Sequence, residues 1–210
     1  MNKPRIVSAE EWQQERDELL KAEKEATRAL DALAARRRRL PMVQFDNSYT
    51  FDTPDGPRSL LDLFQGHHQL LIYQFMDAGP GRLCPGCTGF TDNLPDRGVD
   101  ILAGRGVGWV TVSDMPLAQL AAAKQEKGWN VPIASSRGTS FSADCGAGAG
   151  FLLSSFLRAE GDSIYRTYST GQRGVDRLVW RNSILDITVY GRQEDWEDSP
   201  PGWPQHPTYG

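Results

Sequence analysis

Leu70-Leu71-Ile72-Tyr73-Gln74-Phe75, then a short polar loop, then Cys84-Pro85-Gly86-Cys87: the reading of this chain turns on that stretch. The first six residues are a nearly continuous apolar run, the pattern of a strand in a sheet covered on both faces. Two of the three cysteines follow at C-x-x-C spacing. A C-x-x-C that opens a helix after a buried strand places its thiols where unsatisfied N–H groups and the positive end of the helix dipole stabilise a thiolate. The thiolate is the nucleophile in thiol–disulfide exchange. Cys84 is therefore expected as the exposed, attacking thiol, and Cys87, one turn further in and more buried, as the thiol that resolves a mixed disulfide. Pro85 suits an early helical position and Gly86 lets the backbone pack close. Arg82, two residues before Cys84, is placed to support a thiolate. The loop Asp77-Ala78-Gly79-Pro80-Gly81-Arg82 reads as too polar and flexible for a core position.

Moving C-terminally, a helix begins near Cys87 and Pro95 must kink or split it. Val107-Gly108-Trp109-Val110-Thr111-Val112 reads as a second buried strand, Pro116 to Gly128 as a helix, and Val131-Pro132-Ile133 as a short extended piece. Gly150–Leu157 and Ser163–Thr170 read as strands joined by the turn Ala159-Glu160-Gly161-Asp162, followed by one or two helical turns over Val175–Trp180. Moving N-terminally, Val43, Phe45, Tyr49 and Phe51 have strand spacing, and Ser59 to Phe64 reads as a short helix ended by Gly66.

Before Pro41 the composition changes. Ser8 and Glu11 form a capping-box pattern, and Trp12, Leu19, Ala26 and Leu33 recur every seven residues among good helix formers. This predicts a helix of roughly 45 Å with a narrow apolar stripe. Two covers fit the stripe, its own domain or a second subunit. The expected organisation is a helical extension over residues 1–41, an α/β domain over 42–194, and an irregular tail rich in Pro, Gly and acid over 195–210.

A length of 210 residues holds one sizeable core plus an extension. The net charge of −4 argues against a general nucleic-acid binder, and the run Arg36-Arg37-Arg38-Arg39 reads as a solvated helix end. No stretch reads as a signal peptide or membrane span, so the expected location is the cytoplasm, with no membrane partner. In that reducing compartment a C-x-x-C is catalytic or metal-binding rather than structural.

Strand–helix–strand–helix, then hairpin and helix, resembles the thioredoxin-like superfamily on its peroxiredoxin-related side. More closely, the chain resembles the bacterial family known as domain of unknown function 899. The resemblance is carried by Arg38-Arg39-Leu40-Pro41-Met42, Cys84-Pro85-Gly86-Cys87, Thr167-Tyr168-Ser169-Thr170, Arg173-Gly174-Val175-Asp176, Leu185-Asp186-Ile187-Thr188 and Gly191-Arg192. It implies a thioredoxin-like fold and no particular substrate. Two departures matter. Gly81 stands where peroxiredoxins carry a Thr three residues before the reactive Cys. Gly148-Ala149-Gly150 precedes Phe151 where thioredoxins carry a Pro facing the dithiol.

Zinc wants about four ligands; Cys145, His67, His68 and His206 show no second paired spacing, so no metal site is expected. Cys145 reads as a plain buried thiol. Arg173 is expected near the dithiol helix, where it binds an anionic substrate or supports a thiolate, or else in a surface ion pair. The favoured function is a thiol–disulfide oxidoreductase without organic cofactor, whose partners are a disulfide substrate or a cellular thiol reductant. A thiol peroxidase using Cys84 and a non-enzymatic redox sensor are the alternatives.

Overall fold

The apolar run around Ile72 is a central strand. A computed structural model describes residues 3–207. Met1-Asn2 and Thr208-Tyr209-Gly210, the ends of the expected extension and tail, lie outside the described residues. The described chain divides into two compact units, residues 42–184 and residues 3–41 with 185–207.

In the first unit the strands are β1 (Val43–Phe45), β2 (Thr50–Thr53), β3 (Gly56–Ser59), β4 (Gln69–Phe75), β5 (Val107–Ser113), β6 (Ile133–Ser135), β7 (Leu152–Arg158) and β8 (Ile164–Thr170). They form one sheet in the order β1-β8-β7-β4-β5-β6-β2-β3. β5 runs parallel to β4, and β7 runs antiparallel to both β4 and β8. Parallel crossovers followed by an antiparallel hairpin make β8-β7-β4-β5 the thioredoxin arrangement. The N-terminal segment completes the sheet at both ends, β1 pairing with β8 and β2 with β6.

Side chains alternate across a strand, so β4 and β5 feed two cores. Leu70, Ile72, Val110 and Val112 join Phe51, Phe64, Phe141, Phe156 and Cys145 on one face. Tyr73, Phe75 and Trp109 join Cys84, Cys87, Phe90, Leu120, Trp129 and Val175 on the other. The helices that follow are α2 (Pro85–Asp92), α3 (Gly98–Ala103), α4 (Leu117–Lys127), α5 (Phe141–Asp144) and α6 (Trp180–Leu185), counted after α1 below. Pro95 separates α2 from α3, because it lacks an N–H and its ring clashes with the preceding turn. Gly128 stops α4 with a left-handed φ of 68°. A 3-10 turn over Gln172–Leu178 follows β8 and buries Val175.

In the second unit, α1 (Ala9–Arg37) starts where the capping pattern put it: the Ser8 hydroxyl accepts the Glu11 N–H at 3.1 Å. No residue of α1 is buried, and Trp12, Leu19, Leu30 and Leu33 are all exposed. In residues 185–207, Arg192 reaches Asp186 at 2.7 Å and Glu197 at 3.3 Å, and its guanidinium lies 4.9 Å from the Trp196 ring centre. Among the described residues no helix is long and apolar enough to cross a membrane.

Candidate functional site

Cys84 is the N-cap of α2 and Pro85 its first residue. The extended backbone of Cys84 (φ −65°, ψ 120°) turns its sulfur back over the helix start, where it accepts the Cys87 N–H at 3.4 Å. This is the capping bond that Ser or Asp usually makes, with sulfur as acceptor. One of the N–H groups that a helix start leaves unsatisfied is thereby aimed at the sulfur.

The burial of Cys84 corrects the sequence expectation. It was expected at the exposed start of the helix and is 8% exposed. The cause is the loop before it, expected to be flexible. Asp77 and Leu83 form a β-bridge, the Gly79 N–H donates to Asp77 Oδ1 at 2.8 Å, and the Arg82 N–H donates to the Gly79 carbonyl at 3.2 Å. Gly79 and Gly81 take left-handed φ values of 94° and 67°, which glycine adopts without strain. From α4, the Gln119 amide donates to the Gly79 carbonyl at 3.1 Å and the Arg82 carbonyl at 3.2 Å. A polar loop is folded over the sulfur because its backbone groups find partners there.

Cys87 is wholly buried. Its sulfur accepts the Met76 N–H at 3.4 Å and shares its core with Tyr73 and Phe90. Burial pushes the Cys87 thiol up to about 12; the Tyr73 hydroxyl and the Met76 N–H pull it back in part, while the neighbouring Cys84 pushes it further up. The two thiols are free and close enough to sense each other.

The other expected site residues are distributed differently. Pro85 and Gly86 are exposed, beside the buried Cys84 and Cys87. The Arg82 side chain is exposed and makes no ion pair or hydrogen bond among the described residues; the loop uses its backbone instead. Arg173 sits in the turn whose Val175 packs in the cysteine-bearing core, and its guanidinium pairs with Asp176 at 3.4 Å at the surface. Of its two expected roles, the geometry shows the surface ion pair. Trp129 donates to Asp92 at 2.7 Å and packs on Phe75. Cys145 is buried on the opposite face, its thiol also pushed up to about 12 by burial. Among the described residues no group of three or more His, Cys, Asp or Glu side chains gathers as metal ligands would.

Three residues escaped the sequence reading: Tyr73, Met76 and Gln119. Only Tyr73 left a signal. Period-2 alternation places it on the face of Leu71 and Phe75, and a hydroxyl within an apolar strand needs a partner.

A sheet with this strand order, carrying a cysteine pair on the helix after its central strand, defines a thioredoxin-like protein with a candidate dithiol site. The chain belongs to the bacterial protein family of unknown function DUF899, whose model matches residues 1–209. Among solved structures it is similar to a peroxidoxin of Mycobacterium tuberculosis at 17% identity, covering 59% of this chain and 83% of that one with a TM-score of 0.44. It is also similar to a putative protein disulfide isomerase of Bacteroides thetaiotaomicron at 17% identity, covering 70% and 92% with a TM-score of 0.44. A third, an uncharacterized thioredoxin-like protein of Porphyromonas gingivalis, is 14% identical, covering 61% and 78% with a TM-score of 0.44. Comparison with curated proteins gave no significant match.

Proposed function

We propose that this chain is a thiol–disulfide oxidoreductase in which Cys84 attacks and Cys87 resolves. The observation that carries the reading is the N-cap geometry: the sulfur of Cys84 accepts the N–H of Cys87 at 3.4 Å at the start of α2. A negative sulfur there is stabilised by that N–H and by the helix dipole. Cys87 has no exposed surface, and burial disfavours its charge. Cys84 retains a small opening beside exposed Pro85 and Gly86.

The reaction has two steps. The Cys84 thiolate attacks one sulfur of a substrate disulfide; that S–S bond breaks and the first substrate thiolate leaves and is protonated. Cys87 then loses its proton, its sulfur attacks that of Cys84, and the second substrate thiolate leaves and is protonated. Two electrons pass to the substrate, and a Cys84–Cys87 disulfide remains. A cellular thiol reductant resets it, consistent with a reducing, cytoplasmic setting.

Trapping tests the assignment. Cys87→Ser should hold a mixed disulfide with a small disulfide substrate through Cys84, and Cys84→Ser should hold little, as read by mass spectrometry. Equal trapping in both variants, or trapping mainly through Cys87, overturns it.

For α1 we propose a second copy of the chain as cover for the exposed stripe of Trp12, Leu19, Ala26 and Leu33. Light scattering should show a dimer that becomes a monomer when residues 1–40 are deleted. A monomeric full-length chain, or an oligomer unchanged by the deletion, rejects it.

A further inference from the structure

The helix that carries the dithiol has a cation laid across its outer face. Arg181, at the start of α6, is anchored there by its backbone: its N–H donates to Asn93 Oδ1 at 3.1 Å, and Asn93 Nδ2 donates to the Gly89 carbonyl of α2 at 2.7 Å. Val175 and Val179, just before α6, are buried in the core of Cys84 and Cys87, which fixes this segment beside α2. The guanidinium lies over Gly89: a Cβ placed on that glycine would stand 3.8 Å from Nη2 and 4.0 Å from Nη1. At 3.6 residues per turn, Gly89 falls on the face between Pro85 and Gly86, about one turn further along α2. Those two are the exposed residues beside the sulfurs.

Among the described residues no acid pairs with this cation, and its exposed guanidinium makes no hydrogen bond. Asp92, the one acid of α2, accepts the Trp129 indole N–H at 2.7 Å instead. A guanidinium presents its N–H donors in a planar fork, and a carboxylate is the group that takes two of them at once. Distance then selects the ligand. From Cys84 to Gly89 the rise along α2 is roughly 8 Å. In free cystine the carboxylate sits on the same residue as the sulfur and falls short. A peptide that continues one residue beyond its cysteine adds about 3.5 Å and reaches.

We propose that Arg181 is the specificity-determining residue of the dithiol site: it binds the terminal carboxylate of a low-molecular-weight peptide disulfide whose chain ends one residue after its cysteine, and so selects disulfides of that class for attack by Cys84. The inference rests on the reading that Cys84 attacks. In the step it guides, the Cys84 thiolate bonds to the sulfur of the bound arm, the substrate S–S bond breaks, and the other arm leaves as a thiolate that takes up a proton. Arg181 touches only the carboxylate and exchanges neither proton nor electron.

The test uses two disulfides that differ in charge alone: oxidised N-acetyl-cysteinyl-glycine with free carboxylates, and the same molecule with both C-termini amidated. Each is reacted with the full chain carrying Cys87→Ser, which holds the mixed disulfide, and the rate of adduct formation at Cys84 is read by mass spectrometry. Adding Arg181→Gln should slow the carboxylate form about fivefold, the scale of a charge-assisted hydrogen bond at a solvent-exposed site, and leave the amide form unchanged. The unchanged amide rate also shows that the variant folds. Arg105→Gln makes the same charge change in the turn before β5, at the end of the strands away from the dithiol, and should leave both rates as they are. No loss in Arg181→Gln, an equal slowing of both disulfides, or an equal loss in Arg105→Gln overturns the proposal. Failure of the underlying reading looks different: neither disulfide would then form an adduct at Cys84 in the parent chain.

Discussion

Cys87 and Cys145 are matched in burial and differ in company. Both lie in the interior, one on each face of the sheet, and burial pushes both thiols up to about 12. Cys87 has a second thiol one helical turn away and the Met76 backbone N–H on its sulfur at 3.4 Å. Cys145 has the charge of Arg166 nearby, but that guanidinium is committed to the Cys145 carbonyl oxygen at 2.8 Å. Burial alone makes a thiol inert. A partner thiol and a backbone donor aimed at the sulfur are what the structure adds at Cys87.

The comparison can be broken most strongly by serine substitution. Cys84→Ser should reduce turnover of a small disulfide to background, and Cys87→Ser should stop it after one mixed disulfide. Cys145→Ser should leave it near the wild-type rate. Loss of activity in the Cys145 variant, with folding intact, would erase the distinction.

Next in size is a pair of core truncations. Phe90 and Phe141 are buried aromatics on opposite faces, Phe90 stacked on Tyr73 and Phe141 edge-on to Phe51 at 4.9 Å. Either one changed to Ala should cost about 3–5 kcal/mol in urea unfolding. Only Phe90→Ala should also slow the resolving step, because Phe90 lies on the same helix and in the same core as Cys87.

The alkaline limb of stability comes third. In the unfolded chain both thiols ionise near 9.0; in the folded chain they hold their protons to about 12. Between those values the folded state binds more protons, so unfolding free energy falls as pH rises. The contribution is fully present below pH 9 and lost as pH approaches 12. Each thiol should add a slope of about 1.4 kcal/mol per pH unit, measured by denaturation in reductant. Cys145→Ala should remove one thiol's share, and oxidation of the Cys84–Cys87 pair should remove the share of Cys87. A flat profile from pH 9 to 11 would contradict the burial of both.

The smallest expected effect concerns the loop over Cys84. Gln119→Ala frees the Gly79 and Arg82 carbonyls, which water can then satisfy, so stability should change by only about 1 kcal/mol. Alkylation of Cys84 by iodoacetamide should nevertheless become faster. An unchanged rate would mean that the loop does not limit access.

These contrasts also show what was legible in the sequence. The strand at Leu70–Phe75, the helix break at Pro95, the cap at Ser8 and the helix stop at Gly128 follow from local rules and stand in the structure. The cysteine spacing placed Cys84 at the start of a helix, and the structure makes it the N-cap. What failed was the burial of Cys84, because it depends on Gln119, distant in sequence, reaching back to a loop whose composition reads as flexible. Tyr73 passed as one more apolar strand residue; its stacking on Phe90 exists only once α2 lies across its face of β4. Arg82 was expected beside the sulfur from its nearness in sequence, and its side chain lies at the surface; for Arg173 the surface ion pair was one of the two expected roles, and it is the one the structure shows.

The account stands or falls on whether Cys84 and Cys87 form a reversible disulfide while Cys145 does not. The direct measurement is equilibration of the full chain across a series of reduced-to-oxidised glutathione ratios, followed by acid quenching, alkylation and peptide mass spectrometry. The prediction is a single cooperative, fully reversible loss of two hydrogens confined to the peptide holding Cys84 and Cys87, with Cys145 alkylated only after denaturation at every ratio. A pair that stays reduced at every ratio, or oxidation that involves Cys145, would contradict it.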